Sequence, residues 1–287
     1  MKNILNIFQI MVYFVLFESF HIKQSSAFLP RINEPNKQEL KSSAIQIGTT
    51  AIQLIQLNQN EEAIRLLKLA VKLNPKEIQF WTSLSEAQFR INRNLEALES
   101  LNKALKLQPN EPNIYFRQAS IYMNLDDPKK AKISIKKGLS INKNNERGYF
   151  QLGNAEIMLK NYNLALVAFK KSSKINPKFW QSINNEGLVL YELNNYKKAI
   201  IKFRSAIKIS NDPEPILALA VVLYSSNNKS NESFNLAKMA LKSNPKYAWK
   251  EYQAEQLWGK KLRKSAQLLF KSQEMKKIVI EAKERSQ

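Results

Sequence analysis

The sequence predicts an all-α solenoid of six stacked helix pairs, closed by capping helices at its C-terminal end. Three observations predict it. Four prolines, Pro75, Pro109, Pro177 and Pro245, stand 34, 68 and 68 residues apart, all multiples of 34, and a fixed period of that length marks a stacked repeat. Within each period, apolar residues recur at three- and four-residue steps in two blocks, the pattern of two amphipathic helices. The 287 residues include only six Gly and no Cys, whereas average usage is about 7% Gly. That composition disfavours turn-rich β folds and removes disulfide frameworks, thiolate metal sites and cysteine nucleophiles.

Residues 1–27 read as a signal peptide or N-terminal anchor. Lys2 supplies the positive start, Ile4 to Phe17 is apolar apart from Asn6 and Gln9, and Ser25-Ser26-Ala27 offers small residues for cleavage after Ala27. Those fourteen residues would make a helix of about 21 Å, short of the ~30 Å hydrocarbon core. The only histidine, His21, lies in this segment. Residues 28–43 form a linker in which Pro30 and Pro35 forbid a continuous helix. The expectation is a chain exported across, or tethered to, a membrane.

Six repeats follow, at 44–77, 78–111, 112–145, 146–179, 180–213 and 214–247. Each opens on an apolar or aromatic anchor: Ile47, Trp81, Tyr115, Tyr149, Ile183 and Leu217. A small residue comes four positions later in the first five: Ala51, Ser85, Ala119, Gly153 and Gly187, with Val221 the exception. In the second half, Ala63, Ala97, Ala131, Ala165 and Ala199 precede a larger residue, Leu67, Leu101, Ile135, Phe169 and Phe203, which falls to Ala237 in the sixth. Small residues at fixed spacing let helices approach closely while the bulky one fills the groove beside them. Polar connectors such as Asn58-Gln59-Asn60, Asn92-Arg93-Asn94, Asp126-Asp127, Asn161 and Asn194-Asn195 separate the halves. Asn suits both the end of one helix and the cap of the next.

This pattern resembles the tetratricopeptide repeat (TPR), W-x2-L-G-x2-Y, then A-x3-F-x2-A, then P. Trp81-x2-Leu84, Tyr149-x2-Leu152-Gly153 and Ala199-x3-Phe203-x2-Ala206 carry the resemblance. It implies a right-handed α-solenoid whose first helices line a concave groove, and a non-enzymatic scaffold that binds protein partners. Residues 248–287 break the register and read as a helical cap and tail, predicted as two helices, Ala248 to Gly259 and Lys260 to Glu284. The run Glu255-Gln256-Leu257-Trp258-Gly259-Lys260-Lys261-Leu262, with the Phe28-Leu29-Pro30 opening, resembles exported TPR proteins of cyanobacteria and plastids. That narrower resemblance implies a periplasmic or thylakoid-lumenal protein assisting assembly of membrane complexes, photosynthetic ones among them.

The residues themselves offer little chemistry beyond binding. Gly148-x4-Gly153 lacks the Lys and Ser/Thr of a phosphate loop. Without Cys, and with His21 in the leader, no thiolate or imidazole site remains, so no cofactor or metal is expected. By the resemblance, the groove positions are Glu86, Phe89, Arg90, Phe116, Arg117, Arg147, Phe150, Asn154, Asn184 and Tyr191. Arg forks beside aromatic shelves suit a peptide or helix carrying carboxylates, although the phenylalanines equally suit packing between neighbouring helices. A chaperone-type carboxylate clamp is not expected, because Phe150, Pro215 and Leu219 stand where its basic partners belong. The net charge of +21 comes from 36 Lys and 9 Arg. The lysines cluster on second helices, which speaks for a solvated face or an anionic membrane surface and against an RNA-binding groove.

Overall fold

The computed structural model describes residues 36–226 and 231–286, and among them every regular element is a helix. The expected signal segment and the proline-containing stretch lie outside the described residues. Twelve α-helices pair in chain order: α1 (Lys37–Gln56), α2 (Asn60–Leu73), α3 (Ile78–Arg90), α4 (Asn94–Leu107), α5 (Pro112–Asn124) and α6 (Pro128–Ile141), then α7 (Glu146–Met158), α8 (Tyr162–Ile175), α9 (Trp180–Glu192), α10 (Tyr196–Ile207), α11 (Pro213–Ser225) and α12 (Asn231–Ser243). A 3₁₀ turn (Pro245–Ala248) then leads into α13 (Lys250–Glu255), α14 (Lys260–Phe270) and α15 (Gln273–Arg285). Two expectations change. Helix α1 begins inside the expected linker, and the single helix expected over Lys260 to Glu284 breaks at Lys271-Ser272.

The first five hairpins close the same way. Asn58, Asn92, Asp126, Lys160 and Asn194 sit at φ near 60°, one per repeat, and the next residue's N–H returns to a carbonyl in the last turn of the first helix, as Gln59 N to Leu54 O at 2.9 Å and Asn195 N to Leu190 O at 2.8 Å. This is the reversal that satisfies orphaned helix carbonyls. In the fourth repeat Lys160, not the neighbouring Asn161, takes the left-handed position. Where the next helix needs a cap, side chains supply it: Asp127 Oδ1 accepts from Lys130 N at 3.0 Å ahead of Pro128, and Asn145 Oδ1 from Gly148 N at 2.6 Å. Two anchors also reach back to the preceding proline, Trp81 Nε1 to Pro75 O at 2.8 Å and Tyr115 hydroxyl to Pro109 O at 2.9 Å.

The core runs through every hairpin, and its volume is divided differently in each. Phe169 and Phe203 are fully buried and lie against Gly153 and Gly187, where an added Cβ would overlap the rings. Leu67, Leu101 and Ile135 instead face Ala51, Ser85 and Ala119 in the same register, and the sixth repeat inverts the pair with Val221 and Ala237. Large is set against small, so each layer keeps nearly the same filling. Gly153→Ala is therefore expected to cost about 1–3 kcal/mol by overpacking. Urea unfolding of Gly153→Ala in a Phe169→Leu background should recover much of that loss, and simple additivity of the two changes would refute the compensation.

Neighbouring first helices touch directly, α5 with α7 and α9 with α11. The second helices of successive repeats are linked by long side-chain pairs, Lys68–Glu96 at 3.3 Å, Arg93–Glu61 at 2.9 Å and Arg204–Glu232 at 2.7 Å. First helices thus form an inner wall and second helices an outer one.

Candidate partner-binding groove

The inner wall divides into an open part and a covered part. Over repeats two to four, α3, α5 and α7 present polar side chains to solvent between their buried stripes. Glu86 on α3 is the hub: its carboxylate meets Arg90 at 2.8 Å and Arg117 of the next repeat at 2.8 Å. Arg90 also donates to Ile55 O at 3.2 Å, tying the first repeat to the second. Burial works to raise the Glu86 carboxyl, but the Arg117 and Arg90 guanidinium groups outweigh it and hold the group below the usual carboxylate range.

A hollow of about 300 Å³ lies among Glu86, Phe89, Arg90, Arg117 and Ser120. A second, of about 280 Å³, lies among Arg117, Ser120, Arg147 and Gln151. The two share Arg117 and Ser120, so they form a single track across three repeats. Gln151 Nε2 fixes Ser120 at 2.8 Å. Arg147 is exposed and makes no hydrogen bond or ion pair among the described residues. Sequence reasoning placed these arginines in the groove; it did not foresee that Glu86 engages two of them, leaving Arg147 as the unpaired fork.

Three expected groove residues are buried. Phe116 is only 8% exposed and packs its ring on the backbones of Gly138 and Gly148. Asn184 is fully buried beside Asn185, and Tyr191 is 2% exposed, its hydroxyl bonded to Ser225 at 3.0 Å and Ser265 at 2.7 Å. Phe150 is half-buried against Phe169 and Phe179, and Asn154 accepts from Asn185 at 3.0 Å.

What buries the fifth and sixth repeats is the chain's own C-terminal segment. Helix α14 lies against both α9 and α11, with Leu262, Ala266 and Leu269 fully buried. Glu192, at the end of α9, caps α14 by accepting from Lys261 N at 3.3 Å and Leu262 N at 2.9 Å. Lys261 Nζ answers with bonds to Glu192 O at 2.9 Å and Asn194 Oδ1 at 2.7 Å. Just before it, Trp258 is buried and donates Nε1–H to Glu214 at 3.0 Å. Leu257, held at φ 61°, packs with the cluster around Phe150, Tyr162 and Leu193. The expected end cap is therefore also a fold-back over the inner wall.

A sequence signal for this existed. Residues 215–223 of α11 and 182–191 of α9 are buried without interruption, and Ile216 to Leu223 contains no polar residue. A helix apolar on all sides is covered on all sides; a groove-lining helix keeps a wet face.

At the seam between open and covered parts lies a cavity of about 420 Å³ lined in part by Phe150, Trp180, Tyr252, Asp212, Glu214 and Glu255, with no Lys or Arg. Burial pushes the Glu214 carboxyl up to about 7, with nearby Asp212 adding to it against the Trp258 bond; burial also raises the Tyr247 hydroxyl. Because the folded value of Glu214 is raised, its contribution to stability is complete below about pH 4.5 and is lost as pH rises through about 7. Glu214→Gln should remove that dependence. Thermal unfolding is expected to show the variant gaining on the parent by up to about 3 kcal/mol between those limits. Parallel pH profiles for the two proteins would contradict it.

Comparison with known proteins bears on the repeats themselves. Tetratricopeptide-repeat models match residues 49–112, 112–145 and 146–179. No curated protein sequence matches the chain. Among solved structures, the chain is similar to PilW, a type IV pilus biogenesis factor (TM-score 0.60, 15% identity, covering 77% of this chain and 97% of that one). It is similar to MamA (TM-score 0.54, 21% identity, 60% and 92%). It is also similar to YrrB, described as a TPR protein with an unusual peptide-binding site (TM-score 0.52, 20% identity, 66% and 95%). At these identities the likeness is one of fold, an all-α TPR solenoid. Among the described residues no group of three or more His, Asp or Glu could hold a metal ion.

Proposed function

We propose that this TPR solenoid is a non-enzymatic scaffold that captures an extended, carboxylate-bearing peptide along the open inner wall of repeats two to four. The observation that carries the reading is the continuous track through Glu86, Arg117, Ser120 and Arg147, with Arg147 unpaired. Its guanidinium can take a carboxylate in two parallel bonds, and Phe89 supplies a half-buried apolar shelf at the other end of the track, in the hollow with Arg117. The rigid stack presents these groups already ordered, which lowers the entropic cost of binding. The peptide-binding site of YrrB, a protein of like fold, supports the same use of this architecture. The run Glu255–Leu262, together with Phe28-Leu29-Pro30, supports membrane-complex assembly in an exported setting, as in the cyanobacterial and plastid TPR proteins it resembles.

The test is a displayed peptide library panned against the parent and an Arg117→Glu, Arg147→Glu variant. The parent should enrich acidic sequences, and the variant should lose them by more than about tenfold with helical content unchanged. Recovery of the same acidic peptides by the variant would overturn the reading.

A further inference from the structure

We propose that the outer wall of repeats three to five is a docking face for an anionic lipid bilayer. Helices α6, α8 and α10 carry twelve Lys and Arg and not one Asp or Glu. The second helices before and after them are mixed: α2 has Glu61 and Glu62, α4 has Glu96 and Glu99, and α12 has Glu232. The acid-free stretch is therefore local to the middle of the array, although the whole chain is Lys-rich.

Some of these cations are already committed. Lys132 and Lys202 pair with the buried Glu156 and Glu186 at 2.7 Å each, Lys130 with Asp127 at 3.0 Å, and Arg204 with Glu232 at 2.7 Å. The remaining lysines of the three helices make no ion pair among the described residues. Exposed lysines alone describe any solvated surface. A second pattern distinguishes this one.

Ile133, Val167 and Ile201 occupy the same position in three successive repeats and are 58%, 66% and 61% exposed. In the adjoining repeats that position holds Glu99 and Asn235. The aliphatic stripe thus begins and ends with the acid-free helices. Between α8 and α10 it opens into a cleft of about 380 Å³, lined by Leu166, Leu190, Leu193 and Ile201 with Lys170 and Lys198 beside them.

Aliphatic side chains flanked by unpaired lysines match the boundary of a negatively charged membrane, where apolar groups enter the acyl edge and ammonium groups meet headgroups. Lysine stems can lie along the apolar surface while their charges reach outward. A nucleic acid would call for aromatic platforms on which bases stack, and this stripe has none. No helix among the described residues is long and apolar enough to cross a membrane. The contact uses the face opposite the inner track and leaves that track open.

The test is flotation of the full-length chain with phosphatidylcholine vesicles, with and without phosphatidylglycerol. Two variants are compared, Ile133→Ser/Val167→Ser/Ile201→Ser and Lys136→Glu/Lys170→Glu/Lys197→Glu, each checked by circular dichroism for retained helix. The parent should favour the anionic vesicles by more than about tenfold, and the preference should weaken with salt. The glutamate variant should lose that preference. The serine variant should bind anionic vesicles several-fold more weakly yet hold heparin as the parent does. Any attachment through the apolar N-terminal stretch is common to all three proteins and to neutral vesicles, so it cancels. Equal partition of the parent onto neutral and anionic vesicles would overturn the proposal. So would a serine variant indistinguishable from the parent, which would reduce the face to a general polyanion attractor.

Discussion

Replacing Trp258 by Ala is expected to cost about 3–5 kcal/mol, the range for deleting a buried large aromatic, and to uncover the inner faces of α9 and α11. Trp258 is 2% exposed, packs 5.9 Å from the Tyr247 ring, and bonds Glu214 through its indole N–H. It is the last fixed point before α14 enters the inner wall. Hydrogen exchange should therefore quicken first in α14 and in the flanks of α9 and α11, while α3 and α5 stay protected. Trp258→Phe keeps a six-membered ring but loses the donor and part of the packed surface, so it should cost less than Trp258→Ala, about 1–3 kcal/mol. Uniformly faster exchange along the array would mean that the segment is not a separate closure.

The second large effect concerns a charge. Glu186 is fully buried on α9, with Lys202 Nζ 2.7 Å from its Oε2. That ammonium lies off the hydrogen-bonding direction of Oε2, so the pair is held by charge. The other oxygen accepts from Ser173 at 2.6 Å. Lys202→Met should leave an uncompensated buried carboxylate and cost about 3–5 kcal/mol, whereas adding Glu186→Gln should return most of it. The register supports this replacement: Gln118 and Ser134, one pair of repeats earlier, make the neutral version of the same contact at 2.7 Å. Chemical denaturation of the single and double variants decides the point, and a double variant no better than the single would sink it.

The periodic part of the architecture was legible because its packing is local. A residue such as Phe169 meets Gly153 within one hairpin, so a 34-residue register read from the sequence already lists the contacting positions. The left-handed turn was half legible: asparagines marked the connectors, but Lys160 takes the strained place beside Asn161. The C-terminal segment was not legible, since it leaves the register and its partners are remote in sequence; Glu192 bonds Leu262 across 70 residues. The same holds for Glu86, whose pairing with Arg117 crosses a repeat boundary at solvent-exposed positions that the repeat pattern does not constrain. Asn184 and Tyr191 were misplaced for the same reason: position on a first helix fixes the direction of a side chain and says nothing of what is laid over it; Phe116 instead takes the packing role that the sequence also left open.

The grip of Glu192 and Glu214 on the segment from Trp258 to Leu262 has a bearing on how such an array can lengthen. The closing strap spans the fifth and sixth units together and must find both carboxylates at their present separation. A duplicated unit inserted between them would part the two holds, and the terminus would fit neither. Growth of the stack is thus confined to the side nearer the amino end, where successive units ask only for a neighbour of matching shape.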